Sequence, residues 1–217
     1  MSRPFVFVLP DGKHYHLVLE TPEGNLSRFM QKLITAYTVY YNRRHRRHGH
    51  VMDWRFKAKL VEGEEYLLKL SRYVHLNPVR VGRWKKRPVS ERIAYLGRYR
   101  WSSYLEYIQD CGESGLLDKG PVLANMEGRK KDRPDRYREF VETGLAENDP
   151  EFQDALKASP LGIGDETFRQ WVWGLHRDLS SRRERPEDVT YRRKGASLEP
   201  GEVLDLAVMA DAIRAGG

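Results

Sequence analysis

The sequence is poor in cysteine and has no long hydrophobic run. Cys111 is the only cysteine among 217 residues, so an intramolecular disulfide framework is excluded and a reducing cytosol is expected. No apolar stretch reaches the roughly 18 residues that a membrane-spanning helix requires. The N-terminal MSRPFVFVLP has too short an apolar run for a signal peptide and lacks a small-residue cleavage site. We therefore expect a soluble, cytoplasmic protein without a membrane partner.

Acidic side chains are outnumbered by basic ones. The chain has 38 lysines and arginines against 31 aspartates and glutamates, which gives a net charge of +7 and an isoelectric point near 9.4. The remaining composition, with 40% hydrophobic residues, is that of a globular protein. The basic surplus favours phosphate-bearing partners, with nucleic acid as the first choice and an anionic membrane as the second.

Two of the seven histidines lie two residues apart in GKHYHLVLE, residues 12–20. Side chains alternate along a strand, so a strand over 14–20 places His14 and His16 on one face and turns Tyr15 into the core. Two imidazoles a few Å apart on one face have the spacing of two ligands to one metal ion. The same pattern also fits a polar strand face that binds no metal.

The segment YLLKLSRYVHLNPVR, residues 66–80, predicts a helix that starts near Glu64 and ends before Pro78. Tyr73 and Asn77 are four residues apart and share a face of this helix. A tyrosine hydroxyl can attack phosphorus, and an amide oxygen one turn away can complete the coordination of a metal. The structural alternative is that Tyr73 lies at the edge of the core and Asn77 caps the helix. In this segment by itself, the structural alternative is favoured.

A dense basic cluster, NRRHRRHGH over residues 42–50, follows a second predicted helix that begins at Leu26. Its arginines are Arg43, Arg44, Arg46 and Arg47. A helix C-terminus attracts cations, but four arginines in five residues exceed what capping needs. Arginine forks match phosphate oxygens, so the cluster predicts a nucleic-acid contact. Aromatic residues that can stack on unpaired bases interleave with the basic ones: Tyr40, Tyr41, Trp54, Phe56, Trp84, Tyr99, Trp101 and Tyr104.

Several of these segments together resemble a known family. They are HYHLVLETPEGNLSRFMQKL, AYTVYYNRRH, RFKAKLVE, YLLKLSRYVHLNPVR and YRWSSY. Their order and spacing resemble the single-tyrosine HUH transposases, and the closest branch is the REP-associated tyrosine transposases. The resemblance is strong from about His14 to Tyr107 and weaker from about Arg136 onward.

The resemblance implies an α/β fold of the α+β kind, a ferredoxin-like antiparallel sheet with packed helices followed by a mainly helical C-terminal region. It divides the chain into a catalytic domain over 1–110, a linker over 111–135 and a helical region over 136–217 that is an incomplete DNA-binding domain. Family members usually have a strand and a helix before the histidine strand. We therefore expect a catalytic domain shortened at its N-terminus, with a sheet that lacks one strand and exposes an unpaired edge.

The resemblance also implies a metal-dependent enzyme that cleaves and rejoins single-stranded DNA near hairpins. Tyr73 matches the family's nucleophile, which forms a 5′-phosphotyrosine and frees a 3′-hydroxyl. By the same resemblance, His14, His16 and Asn77 are expected to bind the metal, Mg²⁺ or Mn²⁺. The candidate DNA contacts are Arg43, Arg44, Arg46, Arg47, Lys57 and Arg80. The implied setting is a monomer or homodimer in the cytoplasm, associated with the nucleoid. Two alternatives stay open, a catalytically inactive DNA-binding remnant and an RNA-binding module.

Overall fold

The computed structural model of the chain describes residues 4–8, 15–52, 56–109, 117–147, 149–183 and 207–210; for 4–8, 182–183 and 207–210 it describes the backbone alone. The fold is mixed α/β and mostly helical. Its elements follow the chain as β1 (Pro4–Val8), β2 (Tyr15–Leu19), α1 (Leu26–His45), β3 (Lys57–Val61), α2 (Gly63–Arg80), α3 (Val89–Leu96), α4 (Tyr104–Ile108), α5 (Gly120–Leu123), α6 (Arg133–Thr143), α7 (Pro150–Ala158), β4 (Gly162–Ile163), α8 (Glu166–Arg183) and β5 (Ala207–Ala210), with 3₁₀ turns at Gly82–Lys86 and Lys130–Asp132.

The strands of the described residues form one sheet with the order β1-β2-β5-β3-β4. The first four strands in this order pair antiparallel with their neighbours, but β4 pairs parallel with β3, so the prediction of an antiparallel sheet is correct only in part. β5 lies between β2 and β3, with Val208 opposite both Leu17 and Ala58. The prediction that the last segment is helical is therefore wrong for Ala207–Ala210. By pairing with both neighbours, β5 supplies hydrogen-bond partners for backbone groups of β2 and β3 that would otherwise lie at unpaired edges.

The side chains of β2 alternate between the two faces of the sheet, as predicted, and both faces are buried. Tyr15, Leu17 and Leu19 pack with Met30 of α1 on one face. Val18 points to the opposite face and belongs to the large cluster built around α2. The helices α1 and α2 therefore cover opposite faces of the sheet at this strand.

The large core cluster surrounds α2 and draws on distant parts of the chain. Its members include Leu70 and Val74 of α2, Tyr107 of α4, Tyr137 of α6 and Ile163 of β4. Residues before 110 and after 136 thus share one core, and Val122 and Met126 from the predicted linker are also buried in it. The domain boundaries at 110 and 136 stay a prediction.

The helix α2 continues through Pro78, so the prediction that it ends before this residue is wrong. Proline removes one backbone hydrogen bond and normally disfavours a helical residue before it. The flanking side chains offset this cost, because Leu76 and Val79 are fully buried. Arg80, the last residue of the helix, donates from Nη2 to the carbonyl of Gly144 over 2.7 Å. Tertiary packing therefore extends the helix by almost one turn.

Within the described residues, no helix is long and apolar enough to cross a membrane.

Candidate functional site

Tyr73 and Asn77 lie one turn apart on α2, as their spacing predicts. The Tyr73 side chain is half-buried, and its ring centroid is 6.1 Å from that of Phe152 on α7. Asn77 is 6% exposed, and no described residue accepts a hydrogen bond from its Nδ2. Because the helix continues past Asn77, the residue is not a C-terminal cap. Helix capping therefore does not explain why the amide of Asn77 is buried.

His16 lies on β2 and is 4% exposed. Side chains two residues apart on a strand share a face, so His16 points to the same side of the sheet as Val18. Val18 packs in the cluster that contains Leu70 and Val74 of α2. The structure therefore puts His16 on the sheet face that carries the helix of Tyr73 and Asn77. His14 lies outside the described residues.

The described residues contain no group of three or more histidine, cysteine, aspartate or glutamate side chains that could hold a metal ion. The ligand set expected from the sequence consists of two histidines and one asparagine, of which His16 and Asn77 are described. Both side chains are buried, and Val18 of β2 shares one core cluster with Leu70 and Val74 of α2. The metal site remains a prediction. The structure gives the positions of two of its three expected ligands, His16 and Asn77.

The surroundings of Tyr73 favour the protonated phenol. Burial raises the pKa of Tyr73 above its ordinary value of 10.0, and the positive charge of Arg80 opposes this rise. At neutral pH the hydroxyl therefore keeps its proton, and an attack on phosphorus requires that proton to leave. Arg80 is itself half-buried and bound to the carbonyl of Gly144, so its guanidinium holds the end of α6 as well as facing Tyr73.

The predicted arginine cluster at the end of α1 is exposed, and Arg46 adopts a left-handed backbone conformation with φ of 51°. Arg43 and Arg44 line a shallow groove together with Ala36, Val39 and Tyr40. Lys57 is exposed at the start of β3. The structure therefore brings basic side chains and one exposed aromatic ring together on this face of α1.

Sequence reasoning missed a buried polar network around His75. Its Nδ1 lies 2.7 Å from Tyr137 Oη, and its Nε2 lies 2.9 Å from Ser103 Oγ. Tyr137 Oη donates to Ser71 Oγ over 3.0 Å, and Ser71 Oγ donates to the carbonyl of Leu68 over 2.7 Å. A detectable signal was present, since Ser71 and His75 are four residues apart and interrupt the apolar stripe of α2.

The directions of these bonds determine the tautomer of His75. Ser71 donates its hydroxyl proton to the carbonyl of Leu68, so Tyr137 donates its own proton to Ser71 Oγ. Tyr137 Oη therefore accepts a hydrogen bond from Nδ1 of His75. Nε2 then accepts from Ser103. Burial lowers the pKa of His75 from 6.5 to about 3, which keeps the ring neutral. Because His75 is fully buried, the network holds α2, α4 and α6 together and does not contact a substrate.

No family model, curated protein or solved structure matches the chain. A proposal about its function therefore depends on the sequence motifs and on the geometry described above.

Proposed function

We propose that the protein is a metal-dependent enzyme that cleaves and rejoins single-stranded DNA beside hairpins, with Tyr73 as nucleophile. The supporting observation is that one face of α2 carries a half-buried tyrosine and, one turn later, a buried amide, while a buried histidine lies on the sheet face beneath. The proposed framework is the ferredoxin-like sheet, for which the antiparallel pairs of β1, β2, β5 and β3 are the support.

The residues present suit a divalent cation. An amide oxygen is a ligand for both Mn²⁺ and Mg²⁺, and imidazole nitrogens bind transition-metal ions, so the mixed set suits Mn²⁺ better than Mg²⁺. The amide of Asn77 is buried, and its Nδ2 has no acceptor among the described residues; a cation would be held by the amide oxygen. His14, His16 and Asn77 would hold the ion, which when bound supplies positive charge next to the phosphate.

The chain's own groups would carry the remaining chemistry. The Tyr73 oxygen attacks the scissile phosphorus, and the bond between phosphorus and the 3′-oxygen of the upstream nucleotide breaks. This oxygen takes up a proton, so that a 5′-phosphotyrosine and a 3′-hydroxyl result and the phenolic proton is balanced. The phenolic proton must leave during this attack, and the positive charge of Arg80 favours its departure. Attack by another 3′-hydroxyl reverses the step and releases Tyr73. Rejoining therefore needs no external energy source.

The partner in this proposal is hairpin-containing single-stranded DNA in the cytoplasm, at the nucleoid, and the acting form is a monomer or homodimer. The exposed arginines of α1 would hold backbone phosphates, since guanidinium groups pair with phosphate oxygens in a forked geometry. Lys57, exposed on β3, would add a further phosphate contact.

The test is a covalent adduct between protein and DNA. A hairpin oligonucleotide with a label at its 3′ end is incubated with Mn²⁺ or Mg²⁺, and the products are separated under denaturing conditions. The labelled fragment should migrate with the protein, and Tyr73→Phe should abolish this species. Tyr66→Phe is the matched control, because Tyr66 is half-buried on the same helix. An adduct that survives in Tyr73→Phe at the unmodified level refutes the assignment of the nucleophile.

The second candidate is a catalytically inactive DNA-binding remnant, which the burial of Tyr73 against Phe152 favours. This candidate predicts salt-dependent hairpin binding without any adduct. Removal of Arg43, Arg44, Arg46 and Arg47 at the end of α1 should flatten the dependence of affinity on salt, because each phosphate contact releases counterions. Binding that is insensitive to both salt and these arginines would contradict a DNA-binding role for the cluster.

A further inference from the structure

A second concentration of positive charge follows the C-terminus of α2. The segment 81–101 contains seven lysines and arginines and a single acidic residue, Glu91. Six of the cationic residues are exposed: Arg83, Lys85, Lys86, Arg87, Arg98 and Arg100. Only Arg87 approaches the acid, at 3.5 Å from Glu91. We call the exposed face of this segment the 81–101 surface. Its net positive charge is nearly as large as that of the whole chain.

Aromatic rings are arranged among these cations. Trp84 and Tyr95 are stacked with centroids 3.9 Å apart, and Tyr99 continues the row at 5.3 Å from Tyr95. Trp101 is separate from this row and 52% exposed, with the guanidinium of Arg100 lying 4.9 Å from its ring centroid. The Arg100 guanidinium thus lies over one face of the Trp101 ring, and about half of the residue is exposed to water.

The 81–101 surface is preformed on the core. Trp84 and Tyr95 pack against the large cluster around α2. Arg92 Nε donates to the carbonyl of Val79 over 3.0 Å, which ties α3 to the end of α2. The backbone N–H of Arg87 donates to the carbonyl of Trp84 over 3.0 Å and closes the 3₁₀ turn. A ligand would therefore meet a backbone and two rings, Trp84 and Tyr95, that are already in place, which lowers the entropic cost of binding.

We propose that the 81–101 surface binds single-stranded nucleic acid, with an unpaired base stacked on Trp101 and phosphates on the surrounding arginines and lysines. Positive grooves with exposed aromatic rings are the usual means of holding single strands. A duplex keeps its base faces stacked on each other, so it has no free base face to stack on an exposed ring. This surface uses residues other than Tyr73 and the arginines at the end of α1, and binding here requires no cleavage. It adds a second contact area to the single-strand binding of the proposed function, and its test is separate from the adduct assay.

The test measures oligonucleotide binding by fluorescence anisotropy, with the full-length Tyr73→Phe protein so that no strand is cut. The probes are labelled oligothymidylate and oligouridylate of about twenty nucleotides, which span more than one stacking site. Trp101→Ala should weaken binding to the preferred strand about tenfold, the loss typical of one base–aromatic stack. The matched control is Trp173→Ala, because Trp173 on α8 is 48% exposed and should contribute nothing.

A second pair of variants tests the charges. Lys85→Ala combined with Lys86→Ala should lower the log–log salt slope by about 1.4, the effect of two phosphate contacts on a single strand. Stronger binding of oligothymidylate or of oligouridylate identifies the strand as DNA or RNA, and either outcome supports the proposal. It is overturned if Trp101→Ala binds as well as Trp173→Ala, if the salt slope is unchanged, or if only duplex DNA or anionic lipid vesicles bind.

The result is independent of the adduct assay. A protein that forms no adduct but loses single-strand affinity in Trp101→Ala refutes the proposed function and supports this surface. If the protein forms the adduct and Trp101→Ala binds single strands normally, the proposed function is supported and the proposal for the 81–101 surface is refuted.

Discussion

Removal of a single hydroxyl group from the core tests the hydrogen-bond network around His75. Tyr137→Phe deletes the oxygen that accepts from His75 Nδ1 at 2.7 Å and donates to Ser71 Oγ at 3.0 Å. His75 is fully buried, so its Nδ1–H is left without an acceptor and without water. An unsatisfied buried donor costs about 1–3 kcal/mol, whereas Ser71 keeps its bond to Leu68 and loses little. We therefore expect the free energy of unfolding to fall by about 1–3 kcal/mol.

Equilibrium urea unfolding, followed by circular dichroism, measures this change. For a chain of this size the expected loss corresponds to a fall in Tm of about 2–12 °C. The slope m should not change, because the mutation does not alter the surface exposed on unfolding. Tyr104→Phe is the matched control: Tyr104 lies in the same aromatic cluster, but its hydroxyl makes only a 3.3 Å bond to Glu142. The control should lose less than Tyr137→Phe, because this bond is long and only part-buried and its loss leaves no fully buried donor without an acceptor.

A double mutant distinguishes an unsatisfied donor from general loss of packing. In His75→Leu combined with Tyr137→Phe, the buried donor and its acceptor are both absent, so the two changes should cost less together than the sum of their separate effects. The reasoning is refuted if Tyr137→Phe is as stable as the unmodified protein, or if it is no less stable than Tyr104→Phe.

Three further predictions concern pH, the sheet and the metal ligands. Burial lowers the pKa of His75 to about 3 in the folded protein, against about 6.5 in the unfolded chain, so between these pH values only the unfolded state binds the proton. As the pH decreases below 6.5, the free energy of unfolding should therefore fall by about 1.4 kcal/mol per pH unit. Urea unfolding of His75→Leu should lack this component of the acid sensitivity. Val208→Pro removes a backbone donor from the central strand β5 and should lower the free energy of unfolding by at least about 1 kcal/mol. Amide hydrogen exchange in β2 and β3 should become faster, whereas Val208→Ile should have neither effect. Equal exchange rates in the two variants would contradict the position of β5. Asn77→Leu should abolish the metal-dependent adduct, and Asn77→Asp, which keeps an oxygen ligand, should retain it in Mn²⁺; an adduct of normal yield in Asn77→Leu would remove Asn77 from the ligand set.

The features that could be predicted from the sequence are those set by neighbouring residues. The period of two in HYHLVL is a property of any extended chain, so it correctly predicted that Tyr15 points into the core, on the face of β2 opposite Val18. The four-residue spacing of Tyr73 and Asn77 likewise needs only a helix. The apolar repeat after Leu26 predicted the start of α1 at the residue where the structure begins it.

Features that depend on distant residues were predicted wrongly or not at all. The local rule for proline ended α2 too early, because it takes no account of the buried Leu76 and Val79 or of the contact between Arg80 and Gly144. The residues Ala207–Ala210 were expected to be helical, but backbone groups some 150 and 190 residues earlier in the chain pair with them as a strand. The parallel pairing of β4 with β3 has the same cause.

For the candidate site, the sequence by itself determined which chemical groups are present and which of them share a face, since spacing along a helix or strand is a local property. Only the tertiary structure decided their surroundings. It buries His16, packs Phe152 against Tyr73 and turns Arg80 towards the end of α6. Burial and packing depend on segments that approach from elsewhere in the chain, and these set the raised pKa of Tyr73 and the neutral state of His75.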